Sequence, residues 1–452
     1  MSFLVRGLIL GILVMMCLAA LFGLQELAQL RETRGGLPTK LFSLVNLFLR
    51  VKGAAPARVL ISTTLGITPV RENRLVMTDR IFRFLDENRP ETPCLIVDLA
   101  AVENNYRRLQ AALSDARIYY AVKANPAPEI LRLLQRMGAC FDAASIFEIE
   151  QCLDIGIAPD DISFGNTIKK ETHMAQAFGR GIRLFAFDSE AELEKLARAA
   201  PGARVYCRFF MTGEGADWPL SEKFGCDSEL VPYLLRCARE LGLVPYGVSF
   251  HVGSQQRSLE QWDIALAKSA AIFEITAAEG IDLKMVNIGG GFPSKYRSPT
   301  PSIESHSAAI TEGMSRNFGN ALPDIIAEPG RYIPGDAGVI QAEVVLIAKK
   351  SRMGGCRWVY LDIGRFGGLP EVMDEAIQYR IRTPYTDGDS GPVIIAGPTC
   401  DEADVLYQNA DYQLPLALKT GDKIEILSTG AYTASYSAVG FNGFPPLRVY
   451  YI

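Results

Sequence analysis

A lysine ends a strongly apolar stretch of the sequence, "IYYAVKANP" at residues 118–126. The apolar and aromatic residues 118–122 predict a buried strand that Pro126 closes. Lys123 follows at the carboxyl end, where an ammonium group is out of place unless it has a task. An amine held in an apolar wall has a lowered pKa and can form a Schiff base with an aldehyde. Lys123 is therefore a candidate nucleophile.

Polar groups and glycines also stand in or after seven later apolar runs. Taken singly, each has a plainer interpretation as a solvated or core residue, but together they describe one cofactor. Glycines let backbone N–H groups approach a phosphate, an arginine adds a charged donor, a glutamate pairs with a protonated ring nitrogen, and a histidine lies flat against a ring. An aldehyde, a phosphate and a basic ring nitrogen describe pyridoxal 5'-phosphate (PLP), and a carboxylate partner for the nitrogen favours decarboxylation. The residues are Asp142, Asn166, Asp188, Arg208, His251 with Ser254, the triplet Gly289, Gly290 and Gly291, and Glu328 with Gly330 and Arg331.

The elements that must position these residues alternate regularly from Met77 to residue 331. Eight strand candidates, from "IYYAVKAN" to "DIIAEPGR", are mostly separated by segments of helical period such as "SLEQWDIALAKSAAIFEITAAEG". This alternation predicts a (β/α)8 barrel of the α/β class over residues 77–331. Such barrels place their chemistry at the carboxyl ends of the strands, where the polar residues fall.

The remaining chain, residues 332–452, changes character. Its apolar runs are parted by Gly, Pro and Asp turns with little helix, which predicts a β-rich second domain. Within it "GPTCDEAD" and "STGAYTASYSAVGFNGF" carry more small and polar groups than a plain strand needs. Taken alone, Cys400 in the first of these reads as a cysteine at the edge of the core.

The first 76 residues differ from the rest. Residues 7–24 carry no charge and are just long enough to cross a bilayer, and a basic stretch follows them. Three interpretations stay open: a membrane anchor, a cleaved leader, and upstream sequence wrongly joined to a protein that starts at Met77. If the segment is an anchor, the positive-inside rule places the catalytic body on the cytoplasmic side.

Composition narrows the class of protein. The chain has 452 residues and a formal net charge of -5, so no basic excess suggests nucleic-acid binding. Nine scattered cysteines, with neither a CxxC pair nor metal-ligand spacing, predict neither a disulfide framework nor a metal site. The main body is therefore expected to be a cytoplasmic enzyme with a small-molecule substrate.

Seven motifs resemble, in order and spacing, the fold-type III PLP-dependent decarboxylases that act on ornithine, lysine, arginine and diaminopimelate. They are "YYAVKANP", "FDAAS", "SFHVGSQ", "NIGGGFP", "AEPGRYI", "GPTCDEADVL" and "GAYTASYSAVGFNGF". The resemblance implies an alanine racemase-like barrel followed by a β-rich domain. It also implies a homodimer whose shared active sites take Cys400 and Asp401 from the partner subunit.

The resemblance assigns roles to individual residues. Lys123 would bind the cofactor aldehyde, His251 would stack on the ring, and Glu328 would meet the ring nitrogen. Cys400 would be the proton donor and Asp401 would contact the distal amine of the substrate. The phosphate would be held by Ser254, Gly289, Gly290, Gly291, Gly330, Arg331 and Tyr432, while Asp142 and Arg208 would line the same pocket.

The motif "TCD" narrows the choice of substrate, because it is closer to the ornithine-type pattern than to the "CES" of diaminopimelate enzymes. We expect L-ornithine to be converted to putrescine, with lysine or diaminopimelate as alternatives. Eukaryotic ornithine enzymes carry an aspartate just before the first glycine of "VYLDIGRFGG", where this chain has Ile363 with Asp362 one position earlier. This looks like bacterial ornithine or lysine/ornithine enzymes, and leaves Asp362 and Tyr432 as candidate substrate contacts. An amino-acid racemase and a non-catalytic protein similar to antizyme inhibitors are less favoured alternatives.

Overall fold

The computed structural model describes residues 78–218, 222–351 and 355–452. The predicted apolar segment 7–24, its basic flank and the alternative start at Met77 lie outside the described residues. Nine helices of the described part are α1 Asp79–Asn88, α2 Leu99–Ala112, α3 Pro128–Arg136, α4 Ile146–Asp154, α5 Glu171–Gly179, α6 Glu190–Ala199, α7 Val231–Glu240, α8 Glu260–Ala278 and α9 Ile303–Phe318. Within these ranges no helix is both long enough and apolar enough for a membrane span.

The strands of the described residues fall into a closed barrel, a large second sheet and one small pair. They are β1 Cys94–Val97, β2 Ala116–Ala121, β3 Cys140–Ala143, β4 Ile162–Phe164, β5 Leu184–Phe187, β6 Arg204–Arg208, β7 Ala216–Trp218, β8 Val244–Ser249, β9 Ser254–Gln256, β10 Met285–Asn287, β11 Asp324–Ala327, β12 Gly338–Lys349, β13 Arg357–Leu361, β14 Ile381–Arg382, β15 Ser390–Ala396, β16 Val405–Pro415, β17 Lys423–Leu427 and β18 Arg448–Tyr451.

Eight parallel strands close the barrel in the order β10-β11-β2-β3-β4-β5-β6-β8. Each of the eight apolar runs picked out in the sequence supplies one of these strands, so the predicted barrel is confirmed. The register is regular where the site is built: Tyr119 lies opposite Cys140, and Ala121 lies opposite Asp142.

Alternation along the strands decides which side chains enter the barrel. An apolar cluster inside it includes Tyr119, Cys140, Tyr206, Met285 and Ile326. Because side chains two positions apart share a face, the next inward residue toward the carboxyl end is polar after four of these five residues. A polar layer therefore lies above an apolar one. Its members on four strands are Asp142, Arg208, Asn287 and the residue after β11, Glu328.

The start of α4 shows how the local sequence fixes an element beside the site. The hydroxyl of Ser145 accepts the N–H of Glu148 at 3.2 Å. The Glu148 carboxylate accepts the N–H of Ala144 at 2.6 Å. The Ser145 hydroxyl therefore caps the helix, while the Glu148 carboxylate reaches back to the residue before the cap. The helix begins at Ile146, four residues after Asp142.

The second sheet has the order β14-β17-β12-β13-β15-β16. It lies in the β-rich region predicted from the sequence. One strand comes from the other end of the chain: β1 pairs antiparallel with β12 and parallel with β18. The sheet is therefore built partly from residues that precede the barrel. The division into domains after residue 331 stays a prediction.

Candidate active site

Lys123 lies in the short turn Val122–Ala124 that follows β2, at the mouth of the barrel. Its Nζ is 3.5 Å from Oδ2 of Asp142, and 51% of its side-chain surface is exposed. Burial lowers the pKa of the amine, but Asp142, Tyr432 and Glu328 outweigh it and raise the pKa above its usual value. The prediction that Lys123 stands in an apolar wall and has a lowered pKa is therefore wrong. In the protein without ligand, Lys123 is an ammonium that faces acids.

Asp142, the acid that pairs with Lys123, is held from behind. Its side chain is buried, and its Oδ1 accepts the hydroxyl of Ser163 at 3.4 Å. A Cβ on Gly165 would come within 1.8 Å of the same oxygen. Only glycine therefore fits beside this carboxylate, which stays aimed at Lys123.

Glu328 follows β11 and lies in the same polar layer. Burial and the neighbouring Asp142 raise the pKa of its carboxyl to about 7, although Lys123, Asn287 and Arg208 act in the opposite direction. The amide of Asn287 donates a hydrogen bond to its Oε1. The proton on this carboxyl therefore depends on its charged neighbours at neutral pH.

His251 follows β8 as a neutral imidazole. Burial and the positive charges of Arg208 and Lys123 hold its pKa well below the usual value. Nδ1 accepts the N–H of Gly253 at 3.0 Å, so the proton of the neutral ring is assigned to Nε2. A Cβ on Gly290 would lie 3.3 Å from Nε2. The ring thus lies beside the glycine triplet, where it adds no charge.

The glycine triplet after β10 is packed too tightly for any side chain. Gly289 has φ +68°, and a Cβ there would lie 2.2 Å from the carbonyl oxygen of Phe250. A Cβ on Gly290 would lie 2.7 Å from the carbonyl oxygen of Glu328. At Gly330 a Cβ would meet the hydroxyl of Tyr432 at 2.6 Å. Backbone N–H groups at such a turn can approach an anion closely.

Arg331 is buried, and each of its five N–H groups has a protein partner. Nε and Nη2 donate to the Ser254 hydroxyl oxygen at 3.1 Å, and Nη1 donates to Tyr296 at 2.9 Å. Both carboxylate oxygens of Glu371 accept from Nη1 and Nη2 at 2.6 Å. Because the lone pairs of Ser254 are used, its hydroxyl proton is free to donate elsewhere. The geometry makes Arg331 the support of Ser254.

Replacing Glu371 with alanine is expected to destabilise the protein by about 3–5 kcal/mol, because it leaves a buried guanidinium without its counter-charge. Thermal or denaturant unfolding measures the loss. Asp263→Ala is the matched control, since Asp263 pairs with Arg316 at 2.6 Å on the surface and such pairs contribute little. Equal effects of the two substitutions would contradict the assigned role of Glu371.

Tyr432 lies in the segment after β17 of the second sheet and contacts the turn that carries Lys123. Its backbone N–H donates to the carbonyl of Ala124 at 2.8 Å, and Asn125 Nδ2 donates to the carbonyl of Gly430 at 2.9 Å. The guanidinium of Arg331 lies 4.8 Å from the centre of the Tyr432 ring. Tyr432 therefore lies next to the Lys123 turn and Arg331, and its role toward a ligand stays a prediction.

Asn166 and Asp188 fix loops at the rim of the barrel. The Asn166 amide donates to the carbonyl of Ala144 at 3.2 Å. Oδ2 of Asp188 accepts the N–H of Gly225 at 2.8 Å. These contacts give both residues a structural task.

Cys400 and Asp401 lie on an exposed loop between β15 and β16. The N–H of Cys400 donates to Oδ1 of Asn442, and Oδ1 of Asp401 accepts the N–H of Ala403, both at 2.8 Å. In the described part of the chain neither residue forms a hydrogen bond or ion pair with Lys123. Oδ1 of Asp362 accepts the N–H of Glu343 at 2.8 Å, and in the described ranges Asp362 forms no hydrogen bond or ion pair with Lys123, Asp142 or Glu328. The structure thus brings one group of predicted site residues together and leaves these three outside it.

Several residues that hold the site residues in place were not predicted from the sequence. Asn287 could have been recognised, because it is a polar residue inside the apolar run before the glycine triplet. Glu371 could hardly have been recognised, because a single acid in "GGLPEVM" resembles many surface acids. Asp404 is buried and holds the Cys400 loop by accepting from the Thr399 hydroxyl at 2.7 Å and the Arg365 N–H at 2.8 Å.

The residues at the barrel mouth fit PLP on chemical grounds. An amine, a carboxylate, a neutral imidazole and a turn of glycines with a free serine hydroxyl proton match the aldehyde, ring nitrogen, ring face and phosphate of that molecule. At Gly289, Gly290 and Gly330 neighbouring protein atoms leave no room for a Cβ, so bare backbone lines this part of the site. Lys123, His251, Glu328 and Ser254 would hold the cofactor.

Comparisons with known proteins point the same way. Residues 99–335 match the family model for the pyridoxal-dependent decarboxylases, pyridoxal binding domain. The chain is 36% identical over 358 residues to the lysine/ornithine decarboxylase of Selenomonas ruminantium, covering 79% of this chain and 88% of that protein. It is 30% identical over 390 residues to antizyme inhibitor 2 of Xenopus laevis, covering 83% and 84%. The solved structure of SrLDC in complex with PLP and cadaverine superposes with a TM-score of 0.74 at 33% identity, covering 83% of this chain and 93% of that one.

Proposed function

The chain belongs to the fold-type III pyridoxal-dependent decarboxylases, and from this membership we propose that it removes the α-carboxyl group of a basic amino acid. L-ornithine, which yields putrescine and carbon dioxide, is the favoured substrate. One observation carries the proposal: Lys123, Asp142 and Glu328 meet in one charged cluster beside a glycine turn that no side chain can enter.

PLP, when bound, supplies an aldehyde that reacts with amines and a ring that accepts the electron pair left when carbon dioxide departs. Lys123 must lose a proton before its amine can act as a nucleophile, and until then Asp142 at 3.5 Å holds the ammonium at the barrel mouth. Glu328 as a carboxylate would keep the ring nitrogen protonated. Neutral His251 would lie against the ring without opposing that charge.

Cys400 and Asp401 are proposed to complete the site of a partner subunit. In the described residues they lie on an exposed loop away from Lys123, next to the exposed side chains of Val439 and Phe441. Exposed apolar groups around a functional loop are typical of an interaction surface. A homodimer that places this loop at the partner's barrel mouth would bring the cysteine thiol to the α-carbon, which needs a proton after carbon dioxide leaves.

The substrate's distal amine is proposed to meet Asp401, with Asp362 and Tyr432 as further contacts. Lysine, giving cadaverine, is the first alternative, because the relatives include lysine/ornithine decarboxylases. Diaminopimelate is less favoured, since its second carboxylate would need an arginine and none stands among the proposed substrate contacts. Anchoring through residues 7–24 also stays a proposal, and peptide mapping of the native amino terminus tests it.

The decisive experiment assays the purified full chain on ornithine, lysine, arginine and diaminopimelate. We expect carbon dioxide and putrescine from ornithine, together with an absorbance band of the lysine-bound cofactor that borohydride abolishes. Cofactor binding without carbon dioxide release would favour a racemase when the recovered amino acid is racemic. A chain that binds no cofactor and releases no product would favour a binding protein similar to antizyme inhibitor 2.

Cys400→Ala is expected to lower kcat by about 100-fold or more, the usual effect of a missing proton donor. Part of the substrate should then leave as products other than the diamine, because the proton arrives at the wrong carbon. Quantifying diamine against carbon dioxide measures this. Cys356→Ala, at the other exposed cysteine among the described residues, is the control. Unchanged turnover and product identity in Cys400→Ala would remove Cys400 as the donor.

A further inference from the structure

The side chain of Asn287 contacts both ends of the candidate cofactor site. It ends β10, and 1% of its surface is exposed. Its Nδ2 donates to Oε1 of Glu328, and its Oδ1 accepts the N–H of Gly289 at 2.9 Å. One amide therefore joins the predicted partner of the ring nitrogen to the turn that faces the phosphate.

Hydrogen-bond chemistry fixes the orientation of this amide. A backbone N–H can only donate, so the atom that Gly289 meets is the amide oxygen. The amide nitrogen then faces Glu328, which accepts from it best as a carboxylate. A second link runs through the backbone, where the N–H of Glu328 donates to the carbonyl of Gly289 at 2.7 Å. The carboxylate and the turn are thus held as one unit.

Asn287 is the neutral group that donates a hydrogen bond to Glu328. Asp142 on β3 adds a negative charge, while Lys123 after β2 and Arg208 on β6 add positive ones. The phenol of Tyr206, also on β6, faces the same carboxyl. Asn287 stabilises the ionised form without adding a charge. Any residue that keeps its shape but cannot donate should leave Glu328 easier to protonate.

We propose that Asn287 is a positioning residue for the cofactor, whose single amide orients Glu328 and favours its ionised form while it fixes the glycine turn. The inference rests on the proposed function, because it assigns Asn287 a task only if PLP binds here. It adds a residue with two separable effects, one at each end of the cofactor.

Two substitutions separate the effects. Asn287→Asp keeps an oxygen for the Gly289 N–H but loses the donor to Glu328 and adds a second carboxyl there. Asn287→Ala loses both contacts. Equilibrium binding of PLP and of pyridoxal, which lacks the phosphate, is measured on the cofactor-free full chain. The dissociation constant of pyridoxal divided by that of PLP, called the ratio below, reports how much the phosphate contributes to binding.

For Asn287→Asp we expect PLP affinity to fall about tenfold at neutral pH, the effect of losing one hydrogen bond to a charged group. The ratio should stay near that of the wild type. The acid-side loss of affinity should move to higher pH, because Glu328 takes up a proton more easily in the variant. For Asn287→Ala both the PLP affinity and the ratio should fall, since the glycine turn is no longer fixed.

The controls make each outcome decisive. Asn105→Ala removes an amide that bonds the carbonyl of Ile333 outside the site, and should change neither the ratio nor the pH profile. Wild-type pH dependence in Asn287→Asp, or a wild-type ratio in Asn287→Ala, would overturn the inference. A wild-type chain that binds neither PLP nor pyridoxal would instead overturn the proposed function. Thermal unfolding of each variant shows that the fold is kept.

Discussion

Replacing Lys123 with alanine is expected to lower decarboxylase activity by about 1000-fold or more, the scale seen when a covalent nucleophile is removed. The amine is the group that must join the cofactor aldehyde, and alanine offers nothing in its place. Carbon dioxide release measures the loss. After borohydride treatment, the peptide that contains residues 118–126 should carry the cofactor mass in the wild type and not in the variant.

The same substitution should alter the charges around the site. Lys123 faces Asp142 at 3.5 Å and also lowers the pKa of Glu328. Without this cation the two acids oppose each other, so the pKa of Glu328 rises further above its usual value. Residual PLP binding in Lys123→Ala should therefore weaken as the pH falls toward neutrality, because the protonated carboxyl no longer pairs with the ring nitrogen.

A matched control separates the site from the general loss of a lysine. Lys349 is exposed at the end of β12, outside the barrel. Lys349→Ala should keep full activity and the cofactor-bearing peptide. Near-normal turnover in Lys123→Ala, or cofactor found on a different peptide, would show that another amine does the chemistry.

The barrel could be predicted because each of its strands is determined by a short, continuous stretch of sequence. Each strand is a short apolar run, and alternation places Asp142 two residues after Cys140 and Arg208 two after Tyr206 on the inward face. The family comparison confirms the family that the motifs suggested. The site residues on the strands could therefore be found from the sequence.

The parts that were missed depend on residues far apart in the chain. Asn287 and Glu328 are separated by 41 positions, and Arg331 and Glu371 by 40. The pKa of Lys123 was predicted in the wrong direction because an apolar strand was taken for its whole environment, while the acids that raise it stand on other strands. The place of β1 in the second sheet likewise follows from strands more than 200 residues later.

Mixing two inactive variants is expected to restore activity if the sites are shared between subunits. Lys123→Ala damages the barrel mouth, and Cys400→Ala damages the exposed loop that lies apart from it. In a mixed dimer, one site takes its lysine from one subunit and its cysteine from the other, and both are intact. The second site lacks both. Random exchange makes about half of the dimers mixed, so about a quarter of wild-type activity should return.

The outcome separates a shared site from a site built within one subunit. If each chain supplied its own cysteine, every site in a mixed dimer would lack one group and activity would stay at the level of the single variants. Lys123→Ala mixed with the double variant Lys123→Ala/Cys400→Ala is the control, since none of its sites has a lysine. Sedimentation of the same samples must show dimers and exchange between them. With exchange established, absence of recovery would place Cys400 outside the partner's site, and its exposure would then need a different explanation.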